Sequence, residues 1–469
     1  MDRAIWWIRR DLRLANNPAL VNALQHSKQV IPLFILDPTL LNSRLSSPKR
    51  LAFLYSGLRA LDYDLKRIGG RLVVRRGVPS NVLSLMHLEY SIDGIFAEQD
   101  FSPYARRRDS QVGASLPLTL SGSVAYRHPS DVLKNDGSPY TIFTPYKRQW
   151  LNLGLPRRSE LLPAPERIAT PDEIFSEQLP DPGYLLDNTP FISGEVAAHQ
   201  KLDTFTDEIQ GGVFDYHNLR DRMDHDGTSQ LSPYLRFGML SAEQAIVAST
   251  EATQIAQAPM GEKGVEIWLS ELIWREFYIS ILYNFPEVLQ NSFKPNFRGI
   301  RWQNDPDEFE AWKCGATGFP IVDAGMRQLA ALGWMHNRAR MITASFLVKD
   351  LLVDWRWGEA YFMSQLVDGD PAANNGGWQW TAGTGTDAAP YFRIFNPVLQ
   401  GQKFDPRGEF IRKWVPELQA VPVEFIHQPW LMSSGLQNQV GCRIGRDYPK
   451  PIVDHGIRRQ MALTLFGKM

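Results

Sequence analysis

The reading of the fold turns on AIWWIRRDLRLANNPALVNALQHSKQVIPLFIL, residues 4–36. Two short apolar runs, Ala4–Ile8 and Gln29–Leu36, flank RRDLR and a helix-compatible segment that starts at Asn17. Runs of this length and character read as strands buried on both faces. Further along, Lys49–Lys66 puts Leu51, Leu54, Leu58, Leu61 and Leu65 on one helical face. Arg71–Arg75 (RLVVR) and Asp93–Ala97 (DGIFA) read as a third and a fourth strand. Strands alternating with helices predict a Rossmann-like α/β domain around a parallel sheet. The fingerprint G-x-G-x-x-G does not follow the first strand. No dinucleotide pyrophosphate is therefore placed in this domain, although the fold would suggest one.

From about Ser130 to Glu195 prolines recur, periodicity weakens and acidic residues accumulate, the composition of a surface connector. Beyond Gly194 the pattern is helical to the end, and eleven of the 14 tryptophans fall in residues 211–469. The expected organisation is an α/β domain over 1–130, a connector over 131–195 and a larger all-α domain over 196–469. A chain of 469 residues buries enough surface to need no disulfide or metal staple. Its two cysteines, Cys314 and Cys442, are too few for a disulfide scaffold, a four-thiolate iron–sulfur cluster or a zinc ribbon. No apolar run approaches the roughly 20 residues of a membrane span. MDRAIWWIRRDLR has no long apolar region of the kind a signal peptide carries. The expectation is a soluble protein of a reducing cytoplasm.

The net charge of −1 divides unevenly. Residues 1–130 carry 18 Lys+Arg against 10 Asp+Glu, residues 131–210 carry 7 against 13, and the remainder 25 against 28. Bulk-charge binding of nucleic acid is excluded, but a local basic patch that meets phosphates is not.

Four segments could carry chemistry. GTSQLS (227–232) precedes an apolar run, and small hydroxyl residues there either cap a helix or hold a phosphate. Glu271, Trp274, Arg275 and Tyr278 share one helix face, a poor core stripe but a good wall for a flat heteroaromatic ligand. Asn337, Met341 and Ser345 share another face, and Arg340, if buried, needs an anion such as Asp368 or Asp370. In DGDPAANNGGWQW (368–380), Trp378 and Trp380 stand two residues apart, about 200° on a helix, so their rings face opposite environments. Trp355 and Trp357 repeat that spacing, and Trp302 stands alone before a turn-like QNDPD.

RRDLRLANNPAL, GTSQLSPYLRFG, ELIWREFY, GWMHNRARMITASFLVKDLLVDWRWGE, DGDPAANNGGWQWTAGTGTDAAPYFRIFNP and YPKPIVDH together resemble class I cyclobutane-pyrimidine-dimer DNA photolyases of the photolyase–cryptochrome family. These long motifs stand in the family's order and cover nearly the whole chain. The resemblance implies a flavoprotein lyase whose helical domain holds FAD folded into a U. Tyr216, Thr228, Ser229, Leu231 and Ser232 would hold the diphosphate, and Trp268, Glu271 and Arg275 would line the cavity. Asn337, Arg340, Asp368, Gly369 and Asp370 would surround the flavin and its adenine, with Arg340 paired to Asp368. Asn374 would face flavin N5, where a neutral amide can accept or donate as the N5 proton comes and goes.

The implied reaction is light-driven DNA repair. Excited FADH⁻ passes an electron to a pyrimidine dimer flipped out of UV-damaged DNA, the cyclobutane ring splits, and the electron returns. Glu271 and Asn374 are the implied catalytic residues. Trp274 and Trp380 would stack on the dimer, Glu271 and Asn337 would bond its edge, Met341 would fill beside it, and Arg338 would meet backbone phosphate. Trp378, Trp355 and Trp302 match the family's electron chain from flavin to surface. No metal is expected, and the resemblance, nearest to bacterial enzymes, implies a prokaryotic cytoplasm, with the protein on the nucleoid when it binds DNA.

The family usually carries a second, light-harvesting chromophore. Asp100 and Arg50, with Pro103-Tyr104 where folate-binding relatives have Asn-Glu, resemble the 8-hydroxy-5-deazaflavin type more than the methenyltetrahydrofolate type; FMN is a further possibility. A monomer is expected. Three other readings compete. A signalling cryptochrome without repair activity would want a partner-binding tail beyond YPKPIVDH. Repair of the six-four photoproduct would want two histidines where Asn337 and Met341 stand. A flavoprotein oxidoreductase would want a proton donor where Asn374 stands.

Overall fold

The structure is a computed structural model that describes residues 1–183, 189–209, 211–256 and 259–467. Part of the expected connector, 184–188, lies outside the described residues. The chain forms two compact units. The first comprises Met1–His217, Thr228–Pro286 and Val367–Ala372; the second comprises Asn218–Gly227, Glu287–Leu366 and Ala373–Met469.

A five-stranded parallel sheet organises the first unit. Strands β1 (Arg3–Ile8), β2 (Gln29–Leu36), β3 (Val73–Arg76), β4 (Gly94–Gln99) and β5 (Leu118–Ser123) lie in the order β3-β2-β1-β4-β5. The crossovers run through helices α1 (Pro18–His26), α2 (Pro48–Arg67), α3 (Pro79–Tyr90) and α4 (Pro103–Gly113). Each helix starts on a proline, whose missing N–H is one that the first turn leaves unpaired anyway. Asn17, Ser47 and Ser102 cap α1, α2 and α4 by accepting from Leu20, Arg50 and Ala105 N–H. The four expected strands are present. The sequence reading missed β5 because LTLSGS is an edge strand, half-buried to exposed throughout, and so carries no apolar run. Ile5, Trp7, Ile31, Leu33, Val73 and Ile95 pack one face of the sheet into a core.

RRDLR lies at the carboxyl end of β1, and its charges are nearly all spent inside the first unit. Trp6 Nε1 donates to Asp11 (3.0 Å), and Arg9 pairs with Asp109 (2.6 Å). Arg10 bonds Asp370 at 2.7 Å, and Arg13 pairs with Glu98 and donates to the Asn16 and Gly238 carbonyls. Gly238 follows helix α5 (Ser232–Phe237) at φ 62°, and a Cβ there would lie 1.9 Å from the Arg10 carbonyl oxygen. That close approach explains the glycine of RFG. Helix α6 (Pro259–Asn284) completes the first unit's share of the candidate site.

The second unit is helical. Its main elements here are α7 (Asn337–Ser345), α8 (Trp355–Gln365), the larger part of α9 (Pro371–Ala382) and α10 (His455–Gly467). One core joins Trp312, Phe346, Leu347, Trp355, Phe362 and Trp378. Helix α7 runs on into a wide π-type turn, Phe346–Asp350, that buries Lys349. Its ammonium donates to the Ala382 carbonyl (2.9 Å) and sits 3.3 Å from the Phe466 ring centroid. No carboxylate pairs with it among the described residues. Burial holds its pKa down to about 7, from an ordinary 10.5. Between those values the unfolded chain carries a proton that the folded chain has shed, so this group makes stability rise with pH across that window. Lys349→Met should raise Tm at neutral pH and flatten that rise. Thermal unfolding of both proteins across the window checks this, and an unchanged slope would refute it.

Candidate functional site

In the first unit, Tyr216 and Trp268 are buried and both set their rings edge-on to Phe205, at 5.9 and 5.2 Å. Leu231 is buried, and Thr228 and Ser229 are half-buried on the loop before α5. Ser232 Oγ donates to buried Asp368 at 2.7 Å. Arg236 Nε donates to the Gly369 carbonyl (2.7 Å) and lies 3.9 Å from Asp370. The structure thus brings GTSQLS together with the segment Asp368–Asp370 across 136 residues of sequence.

Helix α6 presents Glu271, Trp274, Arg275 and Tyr278 along its length, all half-buried. One face of Trp274 lies flat on Phe143, with centroids 3.7 Å apart and 7° between planes. Tyr278 (5.4 Å, 35°) and Phe277 (5.5 Å, 80°) also contact the ring. Arg275 donates to the Val124 and Leu235 carbonyls, at 2.8 and 3.3 Å, so its two terminal nitrogens brace main chain. Burial lowers its pKa, and nearby Asp370 partly offsets that.

In the second unit, α7 begins on a histidine cap. His336 Nδ1 accepts from Arg338 N–H (3.1 Å), and burial holds the ring down to about 4, so it stays neutral and can accept. Asn337 is exposed, and Met341, one turn on, is half-buried. Arg338 pairs with Asp221 at 2.7 Å over the Phe404 ring, so a phosphate would meet a guanidinium already held in place. Arg340 Nε donates to the Met335 carbonyl at 2.8 Å.

On α9, Asn374 donates Nδ2 to the Glu359 carbonyl (3.1 Å), and its amide oxygen has no hydrogen-bond partner among the described residues. Trp378 is 3 % exposed, packed against Phe362 (4.9 Å) and Trp312 (6.1 Å), whereas Trp380 is half-exposed. The two rings do face different surroundings, as the helical period predicts. Trp355 is buried in the same core, and Trp302 packs against its edge, 5.8 Å from Phe466 and partly exposed.

Of the candidate antenna residues, Asp100 directly follows β4, at the end of an open α/β sheet where ligands bind, and Arg50 lies in the first turn of α2. Burial alone would raise the Asp100 carboxyl, but Arg10 and the Ser102 N–H hold it well below the usual carboxylate range. Arg50, at the start of α2, is pushed down to about 10 by burial and donates to the Leu45 carbonyl. Tyr104 bonds Asp37.

Arg10, Arg236 and His217 were missed from sequence. The signal for Arg10 was its place in RRDLR at the carboxyl end of a buried strand; nothing local marks the other two. Both ring nitrogens of His217 and Nη1 of Arg236 are buried with no hydrogen-bond partner among the described residues. Orphaned buried donors and acceptors mark where a ligand's polar atoms belong. His217 adjoins Tyr216 in the chain, and Arg236 sits among the charges of Arg10, Arg50, Asp100 and Asp370; polar groups of this kind suit a ligand with an anionic and an aromatic part. FAD has both.

Comparison with known proteins identifies the family. Residues 4–166 match the family model for DNA photolyase, and residues 268–468 match the FAD binding domain of DNA photolyase. Deoxyribodipyrimidine photo-lyase of Escherichia coli is 40% identical, covering 99% of this chain and 98% of its own. The Synechococcus enzyme of that name is 37% identical over 99% and 96%. Among solved structures, a class III photolyase from Agrobacterium tumefaciens superposes with a TM-score of 0.92 at 36% identity, covering 100% and 98%. A Synechocystis cryptochrome gives 0.91 at 28%, covering 99% of each chain. A Sulfolobus tokodaii photolyase with two FAD molecules gives 0.80 at 32%, covering 100% of each.

Proposed function

Because the chain belongs to the photolyase–cryptochrome family, we propose that it repairs cyclobutane pyrimidine dimers in DNA by light-driven electron transfer. It is an FAD-dependent deoxyribodipyrimidine photo-lyase, and within the family we read it as class I. Bound FAD supplies the light-absorbing electron donor. The observation that carries the reading is α9, which holds a neutral amide, a sealed indole and a half-exposed indole within seven residues.

Each side chain then has a physical task. Thr228, Ser229 and Ser232 offer hydroxyls to the diphosphate, with Tyr216, Leu231 and Trp268 as the apolar floor. Arg236 and His217 supply the polar groups that are otherwise unmet. Asp368, Gly369 and Asp370, with Asn337 and Arg340, surround the rings, and an Arg340–Asp368 pair belongs to this reading. Asn374, its Nδ2 already engaged, presents a carbonyl oxygen that accepts from a protonated ring nitrogen. Glu271 and Asn337 hydrogen-bond the dimer edge, and Met341 excludes water beside it. Trp274 and Trp380 stack on the flipped bases. Trp378, Trp355 and Trp302 carry electrons inward for photoreduction. Arg275 has a second role as a brace, since its terminal nitrogens already bond two carbonyls.

By role, residues 1–130 form the antenna domain, 131–195 the connector and 196–469 the catalytic domain. Arg50 and Asp100 suit an 8-hydroxy-5-deazaflavin better than a folate, and an absorption spectrum of the purified protein separates these from FMN or a second FAD. No helix among the described residues is long and apolar enough to cross a membrane. The reading places the protein in the cytoplasm, as a monomer that joins the nucleoid when bound to DNA.

The test is substrate discrimination. Removing a stacking ring costs about 1–3 kcal/mol per base, so Trp380→Ala should lose roughly ten- to hundred-fold in affinity for dimer-containing DNA. Undamaged DNA, whose bases stay stacked, should bind almost unchanged. Arg338→Ala should weaken both DNAs together and reduce the salt dependence. Paired isotherms at two salt concentrations read this out. An unchanged damaged-to-undamaged ratio for Trp380→Ala would make Trp380 a packing residue and dismantle the pocket.

A further inference from the structure

We propose that a surface cavity in the second unit is a separate binding site for a neutral, planar heterocycle of the nucleobase class. The cavity holds about 660 Å³, within the range of small-molecule sites, and none of its lining residues belongs to the repair site above.

Its walls combine flat rings with unspent amides. Phe319 and Trp430 meet edge to face at 5.6 Å and 65°, with Phe319 buried beneath and Trp430 half-exposed. A π-face of this kind accepts any base. Three carboxamides line the same space: Asn396, Gln402 and Gln428. Asn396 Oδ1 accepts from Val398 and Leu399 N–H at 3.0 and 3.2 Å, which locks the amide and leaves its NH₂ for a ligand. The Gln402 and Gln428 side chains make no hydrogen bond among the described residues. An amide sets a donor beside an acceptor, the same pairing that base edges display. His455 adds a fourth group. Asp350 engages its Nδ1 at 2.6 Å, so Nε2 is the ring nitrogen left for a ligand.

The charge of the lining narrows the class. No Lys or Arg lines the cavity among the described residues, and Asp454 does. A phosphate would meet no Lys or Arg and one carboxylate, so the site suits a base or nucleoside better than a nucleotide. The occupant is either a base of a bound strand or a free nucleoside, and one experiment separates these sources.

FAD-loaded full-length protein is titrated in the dark with adenosine, thymidine and adenosine 5′-monophosphate, as wild type, Gln402→Ala and Gln428→Ala. Loading the flavin site first keeps adenosine out of it. Wild type should show saturable nucleoside binding, tighter than that of the monophosphate. Each amide removed should weaken it about three- to tenfold. Gln402 is exposed, so its variant keeps the test decisive should Gln428→Ala fail to fold. A second arm uses an undamaged oligonucleotide carrying 2-aminopurine. A fluorescence change on binding that free nucleoside reverses assigns the site to a strand base; nucleoside binding that the oligonucleotide leaves untouched assigns it to a free nucleoside. Absence of saturable nucleoside binding, wild-type affinity in Gln402→Ala, or tighter binding of the monophosphate would each overturn the proposal.

Discussion

Trp378→Phe should nearly abolish light-driven reduction of the bound flavin while repair by chemically reduced protein survives. Trp378 is the inner end of the proposed electron chain, and the fold gives it no alternative position. Its ring packs against Phe362 and Trp312, and a Cβ added at Gly358 would come within 2.1 Å of its edge. Phe is smaller and fits the same slot with modest loss of packing. It is also much harder to oxidise than an indole, so the chain is broken electronically while the core stays closed. Trp378 and Trp355 are buried and Trp302 is partly exposed, the order expected of a relay from interior to surface. Absorbance under illumination with a thiol reductant follows photoreduction, and repair is then assayed after chemical reduction. Repair that falls in parallel with photoreduction in the chemically reduced variant would remove Trp378 from the relay.

Arg13→Met should destabilise the protein by about 3–5 kcal/mol, the usual cost of breaking a buried ion pair from one side. The side chains of Arg13 and Glu98 are 3% and 4% exposed. Arg13 also ties the end of β1 to the Asn16 carbonyl (2.8 Å) and the Gly238 carbonyl (3.1 Å). Methionine fills much of the space but leaves the buried Glu98 carboxyl, which burial pushes up to about 7 even beside Arg13, without its ion-pair partner. Three outcomes belong together. The loss should grow as the pH rises above about 7, the value to which burial already pushes the Glu98 carboxyl beside Arg13, because above it the variant must keep the proton or hold a charge with no cation. Glu98→Leu added to Arg13→Met should recover much of the loss, since two apolar partners replace two charges. The affinity for FAD should hold to the extent that the protein is folded. Denaturant unfolding of the single and double variants measures these. A double variant no more stable than Arg13→Met would show that Arg13 acts through its carbonyl contacts and not through Glu98.

Much of the α/β part could be read from the chain because buried parallel strands advertise themselves. AIWWI and QVIPLFIL have no other good use, and the Leu51–Leu65 spacing marks a helix that covers the sheet. β5 escaped because an edge strand needs no continuous apolar run. The candidate site was legible where residues act along one helix: the opposed settings of Trp378 and Trp380 follow from a 3.6-residue period alone. It was not legible where partners are remote in sequence. Nothing near Arg10 announces Asp370, 360 residues on, and nothing near Ser232 announces Asp368. Phe143 could not be foreseen on one face of Trp274, nor Asp221 against Arg338, because neither contact has a local signature.

The most direct measurement is repair itself. FAD-reduced, full-length protein is mixed with an oligonucleotide containing one thymine dimer and divided between darkness and near-UV or blue light. The dimer should disappear only in the light, with two intact thymines recovered in its place and no strand cleavage. Dimer levels that stay the same in the light, with reduced flavin bound and the DNA in complex, would contradict the assignment.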